Sequence, residues 1–234
     1  MVTTPIGTSD DVGRKVLVQA DGKIVVVGYS VGSTTGLDFA VVRYNLDGTL
    51  DATFGSNGRV TTDLGSVDES GWSAALQDDG KIVVVGRRFN GITDDMVVIR
   101  YNTNGSLDTS FGSGGSLSMG DSSNSVGPAT GTVTRSGQIL VAATASLTAS
   151  PFTGSVRLVR YNVDGSLDTS FGTNGIGGFD VPAMQNFGPS IITEQSDGSI
   201  MVAGTINTFG VSTTVSTVVT KFSANGILDT SVGT

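Results

Sequence analysis

Two short segments each occur four times along 234 residues, and this repetition restricts the fold more than any composition figure does. The first, Arg43-Tyr44-Asn45-Leu46-Asp47-Gly48-Thr49-Leu50-Asp51-Ala52-Thr53-Phe54-Gly55, returns from Arg100 to Gly112, from Arg160 to Gly172 and, with more changes, from Lys221 to Gly233. The second, Asp21 to Gly28 (DGKIVVVG), returns at Asp79–Gly86, Ser136–Ala143 and Asp197–Gly204. Four units, about 7–63, 64–120, 121–181 and 182–234 together with 1–6, fill the chain as one repeat domain.

Each unit reads as four strands. Residues 14–20 mix apolar and polar positions and end at Asp21-Gly22, an Asp-Gly hairpin signal. Ile24–Val27 is a β-branched run of the kind buried on both faces. Phe39–Tyr44 is the third strand, Asp47-Gly48 the second turn, and Gly58–Asp63 a polar, alternating outer strand. Nothing repeats with a 3.6-residue period. Four-stranded antiparallel units at this spacing predict an all-β chain, a β-propeller of four four-stranded blades, with a solenoid as the competing architecture. The last unit stops after its third strand and turn, and Val2-Thr3-Thr4 repeats Val60-Thr61-Thr62. Residues 1–6 are therefore expected to complete the last blade and close the ring. The same phase makes the chain read as beginning inside a repeat, as a piece of a longer protein would.

The strings RYNLDGTLDATFG, RYNTNGSLDTSFG, RYNVDGSLDTSFG and DGKIVVVG resemble the delta-sixty repeat family of bacterial β-propellers. Departures lie in unit three, with Ser136-Gly137-Gln138, and in unit four, where Phe222 and Val232 replace Tyr and Phe. The resemblance implies a propeller in a secreted or cell-surface bacterial protein, often as part of a larger chain. It implies no catalytic residues.

Composition removes several functions. There is no cysteine and no histidine, which excludes disulfides, thiol nucleophiles, histidine bases and histidine-ligated metals. A net charge of −8 has the wrong sign for a nucleic-acid backbone or an anionic membrane surface. No apolar run approaches the length of a spanning helix, and the first eleven residues carry no secretory signal pattern. Only two glutamates are present, Glu69 and Glu194, so a carboxylate-only glycosidase is the least favoured reading and no enzyme is expected.

The repeated motifs carry two chemical possibilities. Asn45, Asp47 and Asp51 have the oxygen spacing of a calcium loop, but Asn104 replaces Asp47 in unit two and the acids thin out further in unit four. A turn-shaping role, with Asp51 capping local N–H groups or pairing with Arg43 across the hairpin, is preferred, and no cofactor is expected. The periodic Tyr44, Phe54, Tyr101, Phe111, Tyr161, Phe171 and Phe222 are assigned to packing between blades, and Gln19, Gln77, Thr134 and Gln195 to polar packing near the axis.

In a meandering blade the repeated turns lie at one end, and the loops that differ in length and chemistry lie at the other. Aromatics the repeat does not require collect at that second end. The candidate ligand patch is Arg87, Arg88, Phe89, Asp94 and Asp95 with Asp68, Glu69 and Trp72, extended by Phe152 and Phe209. The expected function is a non-catalytic extracellular binding or adhesion module presenting these loops to a protein or glycan. The alternative is a spacer or tip domain in a surface fibre. Nucleic acid and membrane insertion are not expected.

Overall fold

The computed structural model describes residues 2–32, 36–65, 67–119, 126–147, 153–182, 185–208 and 213–232. The fold is all-β, built from antiparallel blades, and divides into two compact units, Met1–Met119 and Gly120–Thr234.

The first unit holds two complete blades. Blade 1 contains β1 (Asp11–Val18), β2 (Ile24–Val31), β3 (Leu37–Tyr44) and β4 (Arg59–Thr62), hydrogen-bonded in that order. Blade 2 repeats the order with β5 (Asp68–Leu76), β6 (Ile82–Phe89), β7 (Asp94–Tyr101) and β8 (Ser116–Met119). Both blades have the four strands expected of a repeat, each of the first three a few residues longer toward the variable end.

The Asp-Gly turns differ in detail from the expectation. Gln19 N–H donates to Lys23 O and Gly22 N–H to Gln19 O, which leaves Ala20, Asp21 and Gly22 in a three-residue loop. Positive φ falls on Gly22 at +83° and on Gly48 at +84°, whereas Asp21 and Asp47 keep the ordinary sign. This is a type I turn closed by a glycine bulge instead of a two-residue turn with both φ values positive. The aspartate contributes differently: Asp21 Oδ1 accepts Lys23 N–H at 3.1 Å and Asp47 Oδ1 accepts Thr49 N–H at 2.9 Å.

Alternation along the strands divides each sheet into a leading face, toward the preceding blade, and a trailing face. In the first unit the trailing face of blade 1, with Val25, Val27, Phe39 and Val41, packs on the leading face of blade 2, with Ala74, Ile82, Val84, Val97 and Ile99. Phe39 reaches the backbone of Gly86, where a side chain would collide with its ring. The run Ile82–Val85 is buried throughout, as expected for a strand covered on both sides. Ile24–Val27 instead alternates between half-buried and buried, with Ile24 and Val26 on the leading face and Val25 and Val27 in the core between the two blades.

The second unit contains blade 3, with β9 (Val126–Val133), β10 (Ile139–Leu147), β11 (Thr153–Tyr161) and β12 (Ile176–Asp180). Blade 4 follows as β13 (Gln185–Glu194), β14 (Ile200–Thr208) and β15 (Thr214–Phe222), joined to blade 3 by one parallel bridge, Thr153 to Gln185. Its core repeats the first unit's plan: Leu140, Ala142, Val156 and Leu158 lie with Ile192, Val202, Phe187 and Phe222.

Blade 4 has three strands, and β15 pairs with β14 alone among the described residues. Residues 2–4 form no strand pair, so the structure does not show the ring closed. They nevertheless occupy a recognisable place. Tyr44 Oη donates to Thr4 Oγ1 at 2.7 Å, as Tyr101 Oη donates to Thr62 Oγ1 of β4 at 2.7 Å. Residues 2–4 thus stand toward blade 1 as the outer strand of blade 1 stands toward blade 2.

Candidate functional site

The repeated turns form a latch at one end of each blade. Arg43 Nε meets Asp51 Oδ2 at 2.7 Å, and Lys23 Nζ reaches the same oxygen at 3.0 Å. Asp51 Oδ1 accepts Thr53 N–H at 3.0 Å and Thr53 Oγ1 at 2.7 Å. The Arg43 guanidinium lies 4.4 Å over the Phe54 ring and donates through Nη1 to Thr103 O of blade 2 at 2.6 Å. Blade 3 holds blade 4 in the same way, through Arg160 to Asp168 at 2.7 Å and to Ala224 O at 2.9 Å. The eight-residue Arg-to-Asp spacing therefore records a buried ion pair that also ties one blade to the next.

Burial alone would push the Asp51 and Asp108 carboxyls up. Hydroxyl donors at Thr53 and Ser110, with Lys23 and Lys81, outweigh it and hold both well below the ordinary range. Asp168 is lowered to about 2, first by the Ser170 hydroxyl. Among the weak calcium candidates, Asp47 Oδ1 and both Asp51 oxygens accept protein donors, and Asn45 Nδ2 donates to Thr49 Oγ1. Gln19 and Gln77 lie beside the latch, each accepting an arginine Nη1. The periodic phenylalanines are fully buried.

The opposite end of blade 2 carries the expected patch, and the strand pleat divides it in two. Glu69, Arg88 and Asp95 stand side by side across β5, β6 and β7, as do Ser70, Arg87 and Met96 on the other face. Arg87 pairs with Asp94 and lies 5.9 Å over the Trp72 ring. All three are partly exposed. Arg88 pairs with Asp95 at 3.3 Å on the face that carries the buried Glu69. Asp68 Oδ1 accepts Leu37 N–H of blade 1 at 3.0 Å, so that carboxylate anchors the neighbouring strand. Phe89, at the end of β6, is half-buried. Phe152 and Phe209 lie outside the described residues.

A related pair exists in blade 1. Arg14 of β1 lies 5.6 Å over the ring of Tyr29 of β2. Arg14 and Tyr29 occupy the repeat positions of Trp72 and Arg87, so cation and ring have exchanged strands while the contact persists. Each pair offers a flat aromatic face beside a directional donor.

Sequence reasoning missed one convergence. Asp38 of β3 and Asp63, just past β4, bring carboxylate oxygens within 4.8 Å of a Glu69 oxygen. Among the described residues this is the group with the hard oxygen donors a divalent cation takes. It also has a structural task, since Glu69 Oε1 accepts Leu64 N–H at 3.3 Å in the connection between blades. Asp11, at the same repeat position, accepts Ile6 and Gly7 N–H groups at 2.8 and 3.0 Å. Only that last equivalence was available beforehand, because Asp38 and Asp63 meet Glu69 through the packing of two blades.

A groove of about 860 Å³ runs along the outer edge of β4, lined by Arg59, Val60, Thr61, Asn104 and Leu107. It borders the repeated turns and has no aromatic residue in its lining.

No curated protein matches the chain. Among solved structures it is similar to a polysaccharide lyase, the PL25 ulvan lyase bound to a GlcA(1-4)Rha3S unit. The identity is 11% and the TM-score 0.54, over 92% of this chain and 54% of that one. It is also similar to a mannose phosphorylase from Leishmania mexicana in complex with phosphate, at 10% identity and a TM-score of 0.45, over 89% of this chain and 62% of that one. The chain spans about half the length of the lyase, and the likeness is one of fold. A family model described as "Domain of unknown function (DUF5122) beta-propeller" matches residues 19–54, 77–111, 135–171 and 195–231, the four repeats in turn, and the chain belongs to that family.

Proposed function

We propose that this propeller is a non-catalytic binding module that presents the variable ends of its blades to an extracellular protein or glycan. The observation that carries this reading is the division of labour within a blade. One end holds the repeated Arg–Asp–Phe latch, whose groups serve neighbouring strands and blades. The other end places Arg87, Asp94 and Trp72, and in blade 1 Arg14 and Tyr29, in partly exposed positions the latch does not use. An aromatic face beside an arginine–carboxylate pair suits a sugar ring or a peptide side chain, because it supplies apolar area and directional hydrogen bonds together. The likeness to a polysaccharide lyase concerns fold and brings no lyase chemistry to this chain. We further read the repeats as members of the delta-sixty class, which favours a secreted or surface-attached parent.

The test is binding of the labelled chain to a glycan array, with and without calcium, repeated for a variant carrying Trp72→Ala and Arg87→Ala. Arg88 is unsuitable for this purpose, since its removal strips the counter-charge from the buried Asp95. A saturable signal lost in the variant supports the reading. A signal unaffected by the two changes refutes this location.

A further inference from the structure

Asparagine stands directly before glycine at five places, Asn57, Asn90, Asn104, Asn174 and Asn225. Such a step can cyclise, because glycine has no side chain to shield its amide nitrogen and an imide ring closes once that nitrogen reaches the asparagine Cγ. The folded chain treats the five sites differently. At four of them the glycine belongs to a repeated turn. Gly58, Gly105, Gly175 and Gly226 are buried, and their N–H groups donate to Phe54 O, Asn102 O, Phe171 O and Ser223 O at 2.7, 2.9, 2.8 and 2.9 Å. Atoms of Leu50, Gly55, Leu167 and Phe171 crowd the same four glycines, each within 3.0 Å of where a Cβ would stand. A nitrogen tied to a carbonyl and packed in place cannot turn onto Cγ without opening the turn.

Asn90-Gly91 lies in the loop between β6 and β7 and meets neither constraint. Gly91 is exposed, its N–H donates to no described residue, and nothing stands within 4 Å of where its Cβ would be. The carbon to be attacked is prepared as well. Asn90 Oδ1 accepts the N–H groups of Ile92 at 2.9 Å and Thr93 at 3.0 Å, and Nδ2 donates to Thr93 Oγ1 at 3.1 Å. Two N–H donors on one carbonyl oxygen polarise Cγ and stand where that oxygen gathers charge when Cγ is attacked. Asn104 Oδ1 is held in a similar way by the Ser106 N–H and hydroxyl, at 3.0 and 2.8 Å, so the untied glycine nitrogen is what sets Asn90 apart.

We propose that Asn90 is a self-modifying site, at which the chain converts its own amide to a carboxylate. The Gly91 nitrogen gives up its proton and bonds to Asn90 Cγ, while the Cγ–Nδ2 bond breaks and the amide group takes up a proton to leave as ammonia. Water then adds to one of the two imide carbonyls. Opening at Cγ leaves aspartate, and opening at the main-chain carbonyl leaves isoaspartate, with the backbone running through the former side chain. In sum one water is consumed and one ammonia released. Either product adds a negative charge to the loop that joins the strands of Arg87 and Asp94, and isoaspartate also lengthens it. The chemistry is confined to one loop and holds whether or not that end of the blade takes a ligand.

The experiment is peptide mapping by mass spectrometry of the full chain after timed incubation in mildly alkaline buffer, folded and in urea, with enzymatic methylation to count isoaspartate. In the folded chain Asn90 is expected to exchange its amide for an acid at least about tenfold faster than any of the other four asparagines. In urea, where no turn holds a glycine nitrogen, the five rates should draw close to one another. Folded Asn57, Asn104, Asn174 or Asn225 converting as fast as Asn90 overturns the proposal. So does an Asn90 that keeps its amide in the folded chain over a period in which the unfolded chain loses amide at all five sites.

Discussion

Replacing Asp51 by alanine tests whether the repeated motif is an ion-pair latch. Asp51 and Arg43 have side chains only 5% and 6% exposed, so alanine leaves a guanidinium enclosed without its anion. It also removes the acceptor used by the Thr53 N–H and hydroxyl. Breaking a buried pair from one side costs about 3–5 kcal/mol. Lys23, whose side chain is 29% exposed, can turn to water and adds little. The double change Arg43→Met with Asp51→Ala removes both charges and should cost less than the two single changes summed, by about 1–3 kcal/mol. The assay is equilibrium urea unfolding followed by the fluorescence of Trp72, the sole tryptophan, which reports on the first unit. A loss below about 1 kcal/mol for Asp51→Ala, within the range of surface pairs, would refute the reasoning. Strict additivity in the double change would refute the pairing.

Other outcomes follow from the same geometry. Asp168 has a folded pKa of about 2, below the roughly 3.9 of an unfolded aspartate. Its stabilising contribution is therefore complete above about pH 4 and lost as the pH falls through 2, so Asp168→Asn should flatten the acid limb of the second unit in circular dichroism. Gly86→Ala sets a methyl 2.0 Å from Ser70 O and 2.7 Å from the Phe39 ring, and should cost about 1–3 kcal/mol or more in the same urea assay. Val84→Asp buries an unpaired carboxylate in the first unit's core and should abolish its cooperative unfolding transition.

The features that could be read beforehand are those encoded by near neighbours in the chain. The β-branched runs at Ile24–Val27 and Ile82–Val85 and the turn glycines placed the strands, and the eight-residue Arg–Asp interval anticipated the latch. The turn type was misjudged because Asp-Gly suits two loop lengths, and only the Gln19–Lys23 hydrogen bond separates them. Two features required three dimensions. Glu69 meets Asp38 and Asp63 through packing of successive blades, and no interval in the sequence marks that meeting. Ala74 is buried because blade 1 packs on the face of blade 2 that carries it, and a repeat pattern does not record which blade covers which. The candidate patch residues of blade 2 are neighbours along β5, β6 and β7, but the pleat assigns Arg87 and Arg88 to opposite faces, pairing one with the partly exposed Asp94 and the other with the buried Asp95.

On the proposed function, ligand contact belongs to the variable end of the blades and not to the latch end. The direct measurement is a binding isotherm against the strongest array hit for three chains: wild type, Trp72→Ala and Asp47→Ser, the last altering an exposed repeated turn. The wild type and Asp47→Ser are expected to bind saturably with closely similar affinity, and Trp72→Ala to lose at least about tenfold. Binding that survives Trp72→Ala and fails in Asp47→Ser would contradict it.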